Sequence, residues 1–74
     1  MGEISSVDFF ALSRACATLV RWQREGRAVV PISVNFSRLT ASDDGFVDRL
    51  ADTVSGYALD PSLIEVELTE SARE

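Results

Sequence analysis

Two hydrophobic periods alternate along the chain. Over residues 7–25, Phe9, Leu12, Cys16, Leu19 and Trp22 recur at spacings of three and four, which puts them on one face of a helix. Arg14, Arg21 and Arg24 fall on other faces, where a solvated role is expected, and Arg21 and Glu25 are spaced to pair at i, i+4. Ser5 with Asp8 has the form of a capping box, and Gly26 stands where the helix should end. Residues 29–37 (VVPISVNFS) are short and β-branched and read as a strand, with Pro31 tolerable only near its beginning or at an edge. Residues 43–57 return to the helical period: Phe46, Val47, Leu50, Val54 and Tyr57 form a stripe, and Asp48, Arg49 and Asp52 face water. Thr40 or Ser42 would cap this helix, Asp43 and Asp44 suit its positive end, and Gly56 and Pro61 bracket its finish. Residues 63–68 (LIEVEL) read as a second strand, and residues 69–74 (TESARE) begin a further turn or helix.

The predicted fold class is α/β, in the order helix, strand, helix, strand. Strands joined through a helix should be parallel, with a right-handed crossover. Parallel strands normally sit inside a larger covered sheet, so two strands alone leave both outer edges open. Side chains alternate along a strand. Ile32, Val34 and Phe36 therefore share one face of the first strand, and Ser33, Asn35 and Ser37 the other. In the second strand Ile64, Val66 and Leu68 oppose Glu65, Glu67 and Thr69. The apolar faces are expected to pack on the two helices. Asn35 and Glu67 are separated by about thirty residues, one βαβ repeat, so they can lie side by side near the C-terminal ends of their strands. Ligands in α/β proteins gather at that end. An amide oxygen beside a carboxylate suits a hard cation such as Mg²⁺, Mn²⁺ or Ca²⁺. On periodicity alone the same alternation reads first as the wet face of an amphipathic strand.

Composition narrows the chemistry. Seven arginines and no lysine stand against twelve acidic residues, a net charge of −5. The acidic balance argues against a nucleic-acid polymer as partner. The absence of His excludes a Ser-His-Asp triad, a Cys-His pair and a His-bearing zinc site. A single Cys, Cys16, cannot form an internal disulfide, and on its helical stripe it reads as a small core residue. No apolar run reaches the roughly 20 residues of a membrane span. Met1-Gly2 with Ser6 fits the loose myristoylation pattern, but a start codon with a small second residue explains it as well. A soluble cytoplasmic chain without membrane contact is expected. At 74 residues it is small for a core with no staple, although 46% of it is hydrophobic.

The segment from Ile32 to Arg38 (ISVNFSR) resembles the "SVN-x-S" strand of EAL domains, the cyclic di-GMP phosphodiesterases. The segment from Leu63 to Ser71 (LIEVELTES) resembles their "ELTES" strand, in order and at the family's spacing. The helix holding Ala17, Thr18, Leu19, Val20, Arg21 and Trp22 before Gly26 also fits, as does the Asp60-Pro61 turn. The resemblance covers nearly the whole chain. It implies that residues 1–74 are a partial EAL domain, an internal slice of a (β/α)₈ barrel of about 250 residues. Such a barrel hydrolyses cyclic di-GMP to linear pGpG with two Mg²⁺ or Mn²⁺ ions. By resemblance Asn35 and Glu67 are metal ligands, and Glu70 is a supporting residue that steadies a loop beside the metals. An acid such as Glu70 also suits the start of a helix.

The EAL triplet with its metal-binding Glu, the later aspartate pair, the Lys near the attacking water and the last metal-binding Glu are not in this sequence. Two ligands cannot clamp two cations. The chain alone is therefore expected to hold no stable metal and to be inactive. A degenerate EAL-like module that binds cyclic di-GMP or a protein partner without cutting is one alternative. A stand-alone interaction protein is another. Open strand edges and uncovered apolar stripes further predict a homo-oligomer.

Overall fold

A computed structural model describes residues 2–69, with side chains described from Ser6 onward. The predicted alternation is present. Helix α1 (Gly2–Arg24) leads into strand β1 (Ile32–Ser37), a short helix α2 (Arg38–Ala41), helix α3 (Phe46–Ser55), a 3₁₀ turn (Pro61–Leu63) and strand β2 (Ile64–Thr69). The two strands are parallel neighbours in a two-stranded sheet, paired from Ile32↔Ile64 to Ser37↔Thr69.

Helix α1 begins earlier than the capping-box reading places it. Ser5 lies inside the helix, and Asp8 is spent on a tertiary contact described below. Its end is as expected. Gly26 takes a left-handed φ of 72°, its N–H donates to Gln23 O, and Arg27 N–H donates to Trp22 O, the paired bonds of a Schellman motif. Glu25 pairs with Arg27 at 2.8 Å across this turn, not with Arg21. Both partners are exposed, so the pair contributes little.

Strand β1 starts at Ile32, later than the β-branched run suggests, because Pro31 has no N–H to give a ladder. The expected second helix is broken in two. Ser37 caps α2, accepting from Thr40 N–H at 3.1 Å, and Ser42 closes α2 at its C-terminal end. Thr40 and Ser42 therefore do not cap the longer helix. Gly45 occupies the N-cap of α3 without a side-chain bond, and the turn before it is held by Asp43, whose carboxylate accepts from Gly45 N–H at 3.1 Å. Gly56 is right-handed, and the left-handed position falls on Ala58, with φ 56°. Asp60 caps the 3₁₀ turn by accepting from Ser62 N–H at 3.0 Å.

The core joins α1, β1 and α3. Leu12, Cys16, Leu19 and Phe36 are fully buried, with Phe9, Val34, Phe46, Val54 and Leu59 around them, and Trp22 and Tyr57 packed at the margin. Phe9, Phe36 and Phe46 meet edge to face, with centroids 5.2–6.0 Å apart. The Arg49 guanidinium lies 3.9 Å over the Phe9 ring, so this residue closes the cluster instead of simply facing water. Burial pushes the Cys16 thiol up, which keeps it protonated and apolar at neutral pH. The two apolar strand faces are treated unequally. Val34 and Phe36 on β1 are buried, whereas Val66 and Leu68 on β2 remain 37% and 47% exposed. The expectation that both faces are covered holds for β1 alone, because no described helix reaches far enough over β2.

Three outcomes follow from this packing. Phe36→Ala should cost about 3–5 kcal/mol in urea unfolding, comparable to the whole stability of a domain this small. Ala58→Gly should instead stabilise by about 1 kcal/mol, since glycine takes the left-handed φ without a Cβ clash. The backbone N–H of Ser62 holds Asp60 below its ordinary value of 3.8. The stabilisation from this cap is fully present above that value and is lost as pH falls through the lowered one, a titration that carboxyl NMR shifts can follow.

Candidate metal-binding face of the sheet

The polar face is built by strand register. Asn35 and Glu67 are Cα partners in the parallel ladder, as Ser33 and Glu65 are two positions earlier. Partners in register point to the same side, at a strand separation of about 4.8 Å. The Ser33 hydroxyl donates to a Glu65 carboxylate oxygen at 3.1 Å, which fixes the direction of this face. Asn35 and Glu67 are both exposed and stand at the fourth of six positions of their strands, toward the C-terminal end. The spacing expected from sequence is thus realised as adjacency. Glu70, the third site residue named from resemblance, lies outside the described residues.

Ser37 does not continue the wet face. It is 5% exposed and turned inward. Its hydroxyl donates to Thr40 Oγ1 at 3.0 Å, and Thr40 Oγ1 donates to Asp8 Oδ2 at 2.8 Å. The Ser37 backbone N–H donates to the same carboxylate oxygen at 2.9 Å. A carboxylate on α1 therefore terminates a hydrogen-bond chain that begins at the end of β1, two residues beyond Asn35. Bonds to a charged acceptor are stronger than neutral ones, and a connected chain polarises each member. On the other strand, Thr69 Oγ1 donates to Phe36 O at 3.4 Å and ties the two strand ends together. Sequence reasoning assigned Asp8 to a local cap and missed this role. The Ser37-to-Thr40 spacing was the available signal for α2.

An amide and a carboxylate oxygen in register are compatible with a hard divalent cation as two of its ligands. Among the described residues no group of three His, Cys, Asp or Glu could hold a metal ion. No helix of the described residues is long and apolar enough to cross a membrane.

Comparison with known proteins agrees with this architecture. The family model for the EAL domain matches residues 1–74. The chain belongs to the EAL domain family. It is 33% identical over 70 residues to the bifunctional diguanylate cyclase/cyclic di-GMP phosphodiesterase MucR of Pseudomonas aeruginosa, covering 95% of this chain and 10% of that protein. It is 27% identical over 71 residues to the oxygen sensor protein DosP of Escherichia coli K12, covering 96% and 9%. An uncharacterised protein of Mycobacterium tuberculosis H37Rv is 37% identical over 68 residues, covering 88% and 11%. The chain thus spans about a tenth of the length of the curated relatives it matches. No solved structure matches it significantly.

If Asp8 organises the end of β1, Asp8→Ala should cost about 1–3 kcal/mol, because a buried hydroxyl and the Ser37 N–H lose their acceptor. Asp8→Asn, which keeps one oxygen, should recover part of that loss in the same thermal melts.

Proposed function

We propose that the chain is a slice of a (β/α)₈ barrel from a cyclic di-GMP phosphodiesterase of the EAL type. Within the intact domain, Asn35 and Glu67 would supply two of the ligands to Mg²⁺ or Mn²⁺. The observation that carries this reading is the register pair Asn35↔Glu67, in a chain whose whole length matches the family model. The similarity to MucR supports the choice of cyclic di-GMP as substrate.

The cation, when bound, supplies an activated water and charge stabilisation for hydrolysis of a phosphodiester. The protein's own contribution is positional. Asn35 offers a neutral carbonyl oxygen and Glu67 an anionic one, and both are carried by strands rather than by loops. The relay from Ser37 through Thr40 to Asp8 fixes the strand end beside them, and Glu70 is proposed to steady the loop that follows. Hydrolysis opens one phosphodiester of the ring and gives linear pGpG. The 74 residues alone carry too few ligands for two cations, so the isolated chain is inactive and binds no metal stably. We place the protein in the cytoplasm. The second reading, an EAL-like module that binds cyclic di-GMP without cutting it, is favoured only to the extent that the remaining ligands are lacking in the full domain.

In an intact EAL domain carrying this segment, Asn35→Ala or Glu67→Ala should cut pGpG formation by at least a hundredfold with the fold unchanged by circular dichroism. Glu65→Ala, which loses only the Ser33 contact, should stay within a few-fold of the parent. Equal effects of Glu65→Ala and Glu67→Ala would refute the assignment. The isolated chain incubated with Mn²⁺ and cyclic di-GMP should give no pGpG by chromatography.

A further inference from the structure

Two adjacent residues of α1 hold two adjacent residues of β1. The Phe9 ring meets Phe36 edge to face with centroids 5.2 Å apart, and the Asp8 carboxylate accepts from the Ser37 N–H at 2.9 Å. The same oxygen, Oδ2, accepts from Thr40 Oγ1 at 2.8 Å, and Thr40 Oγ1 in turn accepts from the Ser37 hydroxyl at 3.0 Å. Phe36, Ser37 and Thr40 are all buried. The ring contact sets how closely β1 lies against α1, and the charged bonds set where the strand ends along the helix. Bonds to a carboxylate are short and directional, so they fix that end more tightly than ring packing alone. Asn35 directly precedes Phe36 and is exposed on the opposite face of the strand.

The two members of the register pair depend on such support to different degrees. Glu67 brings a negative charge, whose attraction for a cation falls slowly with distance. Asn35 brings a neutral carbonyl oxygen, which contributes only at coordination distance and in the right direction. A ligand set of this kind tolerates about 0.5 Å of misplacement. We propose that Asp8, with Thr40 as its link, is a positioning residue for Asn35: by anchoring the end of β1 to α1, it sets how tightly the intact site holds its divalent cation. The inference rests on the assignment of Asn35 and Glu67 as ligands and adds to it a determinant on a different element. Neither Asp8 nor Thr40 falls in the two segments that carry the family motifs, and both act through the backbone of β1.

Calorimetric titration of an intact EAL domain carrying this segment with Mn²⁺, in the absence of substrate, tests the proposal. Asp8→Ala and Thr40→Val should each bind Mn²⁺ about tenfold more weakly than the parent, the scale on which loss of a group supporting a metal ligand is felt. Asp8→Asn and Thr40→Ser, which keep an acceptor and a hydroxyl, should recover most of that affinity. Leu19→Ala empties the core toward the other end of α1. It should lower the melting temperature at least as much as Asp8→Ala and leave Mn²⁺ affinity unchanged. In an Asn35→Ala background, Asp8→Ala should cause no further loss, because the ligand it positions is gone. Parent-like binding by Asp8→Ala and Thr40→Val, an equal loss from Leu19→Ala, or a full additional loss in the double variant would each overturn the proposal and leave the ligand assignment standing. Parent-like binding by Asn35→Ala would overturn both together. Thr40→Val carries the same comparison should Asp8→Ala fail to fold.

Discussion

Three phenylalanine rings from three different elements meet edge to face, and the positions of the helices follow from that contact. Phe9 comes from α1, Phe36 from β1 and Phe46 from the first turn of α3. Each ring contributes roughly 1.5–3 kcal/mol by leaving water, and each edge-to-face pair about 0.5–1.5 kcal/mol more. Arg49 covers the Phe9 ring, so the cluster is capped by a cation. With α1 and α3 both anchored to Phe36, β1 becomes the buried strand and β2 the uncovered one.

That asymmetry sets what the polar side of the sheet can do. The strand carrying Asn35 is held from behind by the aromatic cluster and at its end by the bonds from Ser37 and Thr40 to Asp8. The strand carrying Glu67 is held mainly by its ladder with β1 and by Thr69 on the Phe36 carbonyl. A ligand pair needs both donors fixed relative to each other, and the parallel ladder supplies that directly. Its outer neighbours would have to come from further strands or from another copy.

The alternation of apolar and polar residues was enough to place the two strands, their parallel direction and the adjacency of Asn35 and Glu67. A period of two assigns side chains to faces along the body of each strand, and one βαβ repeat between the strands brings them into register. The Schellman end at Gly26 was equally legible, because a left-handed position strongly prefers glycine. The end of α3 at Gly56 was legible in place but not in conformation, since Gly56 is right-handed and the left-handed position falls on Ala58. Local preference was outweighed there by the packing of Val54, Tyr57 and Leu59.

The sequence by itself thus determined the order of elements, the faces of the strands and the family motifs, since these depend on residues near one another in the chain. Tertiary structure decided what those residues are used for. Asp8 looks like a helix cap within its own neighbourhood, yet it bonds Ser37 and Thr40 some thirty positions away. Ser37 alternates onto the wet face by period, yet it turns inward to begin α2. Val66 and Leu68 are as apolar as Val34 and Phe36, yet only the latter pair is covered. Burial depends on which other elements arrive at a surface, and that is a property of the assembled chain that no local pattern carries.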